Sequence, residues 1–204
     1  MRCLVLDGHP DGGRLVTALL DGYVAALPPG TEVSRVAVRD MQFDPNMRRG
    51  YAVAQEWEPD LTRLAQEIDA CDHLVVGFPM WWGAEPATLK GLLDRVLLPG
   101  WAFRYHSQDA MWDRLLAGRS ADLVVTMDTP PWYLRLAFGD AVIKRWTRQV
   151  LGFVGFKPVR VFRFGPTRRG GAECGMPKWS ARLARAAASA PALARAAKLP
   201  APVA

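Results

Sequence analysis

Cysteine and histidine are scarce, with three of each in 204 residues. Cys3, Cys71 and Cys174 are odd in number and widely spaced. That excludes a disulfide framework or a cysteine-built metal site and points to a reducing, cytoplasmic setting. His9, His73 and His106 stand singly, so no metal site is expected. No apolar run approaches the ~20 residues of a membrane-spanning helix, so no membrane insertion is expected. The opening MRCLVLDGHPDGG has too short an apolar part for a secretory leader, and reads as a strand that begins at once. Acidic residues nearly vanish late in the chain. From Lys157 onward there are 10 of the 26 basic residues but one of the 20 acidic ones, Glu173. Such a third can attract a phosphorylated ligand, nucleic acid or an anionic surface. Its arginines alternate with alanine at helical spacing, which favours a solvated helix face over a nucleic-acid site.

What is present is a repeated alternation of strand and helix. Arg2–Leu6 reads as strand one, Gly12–Ala26 as a helix, and Glu32–Val38 as a half-exposed strand. A long polar loop over 40–51 precedes a helix over 57–71. His73–Phe78 is a near-continuous apolar run, as a central parallel strand requires. Pro86–Leu98 reads as a helix with proline in its first turn. Asp122–Met127 is a further buried strand, Leu134–Gly152 is mostly helical, and Val159–Phe164 is the fifth strand. An alanine–arginine helix follows from about Lys178, and Pro191 is expected to break it. The pattern predicts a three-layer α/β/α sandwich around a five-stranded parallel sheet in the flavodoxin-like order 2-1-3-4-5. One domain over 1–190 is expected, with a loose tail over 191–204.

In such sheets ligands bind outside the carboxyl ends of the strands. The first of these loops, Asp7–Arg14, joins a strand to a helix N-terminus, where free N–H groups and the helix dipole favour an anion. His9 and Arg14 add donors. The loop has neither a dinucleotide fingerprint nor a P-loop, so an ordinary glycine-rich turn is an equal reading. The loop after the third strand is Phe78-Pro79-Met80-Trp81-Trp82-Gly83-Ala84-Glu85-Pro86. Two indoles on a sharp turn offer stacking surface, and Gly83 allows close backbone approach to a flat ring. The alternative is that the tryptophans serve a core or a subunit interface.

Gly8-His9-Pro10, Phe78-Pro79-Met80-Trp81-Trp82, the string from Pro86-Ala87 through Leu89-Lys90-Gly91 to Asp94-Arg95-Val96, and Ala102-Phe103 with Tyr105 resemble the NAD(P)H:quinone oxidoreductase family. That family includes DT-diaphorase-like enzymes, modulators of drug activity and potassium-efflux ancillary oxidoreductases. The resemblance spans about Arg2 to Phe164. It implies a flavodoxin-like fold, bound FMN or FAD, a homodimer, and two-electron reduction of quinones by ping-pong hydride transfer from NADPH or NADH through flavin N5. By the resemblance, His9, Arg14 and Leu15 surround the flavin phosphate. Pro79, Met80, Trp81, Trp82 and Gly83 hold the ring through their backbone, and Thr126, Met127, Asp128 and Thr129 flank its other side. Trp82, Trp132 and Tyr133 shape a slot for a flat substrate, with Tyr133 as the candidate proton donor.

The chain also departs from the family. Arg14 and Val16 stand where the family has serine and asparagine, and Pro130-Pro131 follows the fourth strand where glycines are usual. No histidine follows Tyr133. A flavin-binding electron carrier or regulatory subunit, and a fold relative without flavin, are the alternatives. FMN is expected over FAD, because no adenine-binding extension is evident.

Overall fold

The structure, a computed structural model, describes residues 1–198. Strands β1 (Arg2–Asp7), β2 (Glu32–Ala37), β3 (His73–Pro79), β6 (Ser120–Thr126) and β7 (Val159–Phe164) form one parallel sheet in the order β2-β1-β3-β6-β7. The chain-order numbering differs from the expected 2-1-3-4-5, because two short strands intervene between the third and fourth sheet strands. These are β4 (Phe103–Tyr105) and β5 (Trp112–Arg114), an antiparallel hairpin outside the main sheet. Its anchor is Trp112, stacked on Phe153 at 4.5 Å and donating its indole N–H to the Phe153 carbonyl over 2.9 Å.

Every residue of β3 and β6 is buried, so these strands run through the middle of the core. Side chains alternate across the pleat. Leu4, Leu6, Val76, Leu123 and Val125 face one layer. It is covered by α2 (Pro59–Ala70), α3 (Ala87–Val96) and the helical run α4 (Pro131–Ala137), α5 (Ala141–Lys144) and α6 (Gly152–Val154). Cys3, Val5, Val75, Val124 and Phe164 face the other layer, under α1 (Leu15–Ala25) and α7 (Gly171–Ala197). A β-carbon on Gly77 would lie 2.8 Å from the Leu20 side chain, so glycine lets α1 approach β3 closely.

Three expectations need correction. The single helix over 134–152 is interrupted: Gly139 and Asp140 have positive φ, and Asp140 turns to bind Arg163. A π-helical stretch, Arg145–Leu151, then links α5 to α6. The last helix starts at Gly171, earlier than Lys178, and runs through Pro191 to Ala197. Ala187, Ala190 and Ala194 remain buried on both sides of that proline, and this packing holds the helix across the missing hydrogen bond. Of the tail expected over 191–204, residues 191–197 are therefore helical, and 199–204 lie outside the described residues.

Candidate functional site

The carboxyl ends of β1, β3 and β6 lie side by side, and their loops are tied together. The amide of Met80 donates to the Thr126 carbonyl over 2.8 Å, which joins the β3 loop to the β6 loop. The His9 ring meets Trp81 edge-on at 5.5 Å, which joins the β1 loop to the β3 loop. His9, Trp81 and Thr126 thus bring the three proposed ligand loops to one crevice.

The β1 loop is organised by Asp7, whose side chain is buried. Its Oδ1 accepts the His9 amide at 3.0 Å, while its Oδ2 accepts the Thr17 hydroxyl and the Arg39 guanidinium, each at 2.7 Å. The hydrogen bond that Arg39 donates to the Asp7 carboxylate pushes the guanidinium pKa above its ordinary value. The Arg39 charge thus offsets that of Asp7 beneath the loop. The Asp11 amide donates to His9 Nδ1 over 2.9 Å, leaving Nε2 as the proton-bearing nitrogen. Burial pulls the His9 pKa below its ordinary value, so the ring is a neutral donor at pH 7. Arg14 sits at the N-cap of α1 in extended geometry. Its Nε donates to Asp11 over 2.7 Å, so Asp11 parks the guanidinium at the loop. The amides of Leu15, Val16 and Thr17 have no backbone acceptor, as expected of a first helical turn. Neutral His9, Arg14 and three open amides make a cradle for a phosphomonoester, and the residues present therefore fit FMN.

The β3 loop is a tight turn closed by two hydrogen bonds. The Trp81 amide donates to the Ala84 carbonyl (2.8 Å) and the Ala84 amide to the Trp81 carbonyl (3.0 Å). Trp82 (φ 52°) and Gly83 (φ 76°) both take left-handed backbone, the geometry of a type I′ turn. Glycine adopts it freely, whereas tryptophan is held there at a cost of about 1 kcal/mol or more. Trp82 is 105% exposed, so it repays none of that cost in packing. Its amide and that of Gly83 have no backbone partner and point to a donor role.

Behind the turn lies a pair of groups that the sequence did not flag. Glu85 is buried, and its Oε2 accepts the Trp146 indole N–H at 3.0 Å and pairs with Arg145. Glu85 Oε1 is buried without a protein partner. The π-helical stretch presents Arg145 and Trp146 in succession to this one carboxylate, and π segments frequently mark functional sites. Trp146 in turn packs on Phe78 of β3 at 4.9 Å.

In the β6 loop, Thr126 and Met127 are buried and Asp128 is exposed. The Asp128 carboxylate accepts the Thr167 hydroxyl at 2.5 Å and pairs with Arg168 at 2.6 Å, which turns it toward the loop after β7. Thr129 is half-buried. Pro130 and Pro131 then start α4, which carries exposed Trp132 and Tyr133 edge to face at 5.6 Å. Asp7, Thr17 and Arg39 were legible only as a turn, a helix residue and a loop residue. Glu85 and Arg145 gave no signal, because nothing local in Gly-Ala-Glu-Pro marks a buried acid.

His73 is fully buried at the opposite end of the sheet. Its Nδ1 lies 2.8 Å from the Ser120 hydroxyl, and its Nε2 lies 3.1 Å from Tyr23 and 3.4 Å from Asp122. Arg160 closes the network on Asp122 at 2.6 and 2.7 Å. All of these except Arg160 are inaccessible, so the serine–histidine–aspartate grouping is a core device.

Comparison with known proteins shows the family of this fold. A model of the flavodoxin-like fold family matches residues 1–188. An FMN-dependent NADH:quinone oxidoreductase of Cereibacter sphaeroides is 30% identical over 155 residues, 72% of this chain and 76% of that protein. NAD(P)H dehydrogenase (quinone) 1 of Rattus norvegicus is 28% identical, over 89% of this chain and 76% of its own. Among solved structures, an NAD(P)H:quinone oxidoreductase from Methanothermobacter marburgensis superposes with a TM-score of 0.76 at 23% identity, covering 93% of this chain and 96% of that one. An FMN-dependent NADH-azoreductase from Bacillus anthracis, in complex with FMN, superposes at 0.75 with 13% identity, over 92% and 98%.

Proposed function

We propose, because this chain belongs to the flavodoxin-like fold family, that it is an FMN-dependent NAD(P)H:quinone oxidoreductase. The observation that carries the proposal is the junction of the phosphate cradle with the Trp81–Ala84 turn, at the switch point where such sheets take their ligands. When bound, FMN would supply two-electron redox chemistry between NADH or NADPH and a quinone.

The chain's own residues bind and orient. His9 Nε2–H, Arg14 and the amides of Leu15 to Thr17 hold the phosphate. The unpartnered amides of Trp82 and Gly83 donate to the polar edge of the ring, and Pro79 and Met80 fix the turn to the sheet. Thr126, Met127, Asp128 and Thr129 wall the other side. Trp82, Trp132 and Tyr133, all exposed, would wall an apolar slot that takes donor and acceptor in turn. Tyr133 is the one phenol on α4 and the candidate proton donor to the reduced quinone.

The unit is a homodimer in the cytoplasm. Support for the dimer is the open groove lined by Tyr51, Leu93, Tyr105 and Phe153, beside which Tyr51, Val53 and Tyr105 are exposed. Support for a reducing setting is that Cys3, Cys71 and Cys174 are all free thiols. Steady-state turnover of NADH and NADPH with menadione tests the activity. Parallel double-reciprocal lines are expected. Bound flavin with negligible turnover would favour an electron carrier.

A further inference from the structure

Helix α4 turns its hydrophobic side outward. Leu134 is buried, but Trp132 (64%), Leu136 (79%) and Phe138 (58%) are exposed, as is Tyr133. Residues 132, 133 and 136 share one face at helical spacing. Phe138 extends that face, meeting Tyr133 edge-on at 5.7 Å. Single exposed apolar side chains are ordinary, but a contiguous set of this size marks an interaction surface.

Charge selects the partner. Arg135 lies on α4 itself, and the Lys144 ammonium reaches back to Gly139 beside Phe138, both residues exposed. Neither is in an ion pair among the described residues, whereas the acidic neighbours Asp128 and Asp140 are neutralised by Arg168 and Arg163. The face is therefore aromatic and aliphatic with an uncompensated cationic rim. That composition matches a helix lying in the interface of an anionic bilayer, with indole and phenol rings at headgroup depth. A second copy of this chain would bring like charges together at the same rim. The groove proposed for the dimer contains no residue of α4.

We infer that the α4 face docks the protein reversibly on an anionic lipid surface, beside the crevice opened by the β6 loop. This rests on the quinone-reductase reading for its purpose alone: a membrane-resident quinone would then meet the Trp82–Trp132–Tyr133 slot without crossing water. No helix among the described residues is long and apolar enough to cross a membrane, and docking needs none. Each surface cation contributes about fivefold to partition onto an anionic leaflet, so two contribute on the order of twenty-five-fold.

The test is flotation of the full chain with vesicles of phosphatidylcholine alone or mixed with phosphatidylglycerol, with and without FMN. Expected is co-flotation with the mixed vesicles, release by high salt, and little binding to phosphatidylcholine. Both R135E/K144E and L136S/F138S should lose it, while circular dichroism stays that of the parent chain. No binding to mixed vesicles, or equal binding to both kinds, would overturn the inference. So would a dimer by light scattering that dissociates in L136S/F138S, because the face would then be covered by a second copy. Flotation is read without turnover. Vesicle binding by a chain that takes no flavin would sink the enzyme reading and leave docking standing, and the reverse pair of results would do the opposite.

Discussion

The indole N–H of Trp146 donates to Glu85 Oε2 over 3.0 Å, so the turn that carries Trp81 and Trp82 is clamped from behind by the π-helical stretch of the layer that also holds α3. Arg145 joins the same carboxylate. The clamp explains how an exposed, strained turn keeps one shape: its C-terminal side is fixed to a buried aromatic that itself packs on β3.

Removing the clamp leaves Arg145 and the Trp146 N–H without an acceptor. Glu85→Ala is expected to cost about 2–4 kcal/mol in chemical denaturation. Glu85→Gln keeps an acceptor for Trp146 and should cost less. Both variants should weaken FMN binding, read by quenching of flavin fluorescence. Unchanged FMN affinity in Glu85→Ala would detach the clamp from the site.

Trp82 gives the opposite signature. Fully exposed and left-handed, it contributes strain and no packing. Trp82→Asn suits that backbone better and is expected to stabilise the fold by up to about 1 kcal/mol. The same variant should raise KM for menadione, because the slot loses a wall. A destabilised Trp82→Asn would mean that the indole packs in a way the turn geometry does not express.

The phosphate cradle is tested by comparing two ligands that differ only in the phosphate. Arg14→Ala is expected to weaken FMN about tenfold, in keeping with one charge-assisted hydrogen bond. Riboflavin affinity should not change. Equal losses for both ligands would place Arg14 near the ring or in the fold instead.

Much of this was legible in the sequence, and the reasons are local. The strands β3 and β6 are apolar throughout because both faces are covered, and α3 shows its stripe through Leu89, Leu92 and Val96. The loops with His9 and Trp81 could be placed at one crevice, because topology alone puts the ends of parallel strands together. What was hidden depends on long-range pairing. The hairpin β4–β5 has three-residue strands whose anchor, Trp112, rests on Phe153 about forty residues on, a separation that no local period reveals. Asp7 reads as half of an Asp-Gly turn until Arg39, from beyond β2, is seen beside it. Pro191 reads as a helix stop because its cost is local, while the alanine packing that outweighs it is tertiary.

At the far end of the sheet, Asp122 sets an acid limit on stability. Burial alone would raise its carboxyl pKa, but hydrogen bonds from His73 and Arg160 outweigh it and hold the pKa below 3.8. A carboxyl depressed in the fold stabilises it above its unfolded pKa, and that contribution is lost as pH falls through the folded value. Asp122→Asn should therefore be destabilised by about 3 kcal/mol at pH 7, with Arg160 left half-buried and unpaired. The gap from the parent chain should narrow in urea titrations below about pH 4. A gap constant with pH would show that Asp122 acts through shape rather than charge.

The central claim is that the crevice between the β1, β3 and β6 loops holds FMN. Titration of FMN into the flavin-free chain, followed by fluorescence quenching and equilibrium dialysis, tests it most directly. Saturation at one FMN per chain is predicted, with riboflavin bound more weakly because it lacks the phosphate that His9 and Arg14 grip. A chain that binds no FMN, or binds FMN and riboflavin equally, would contradict the account.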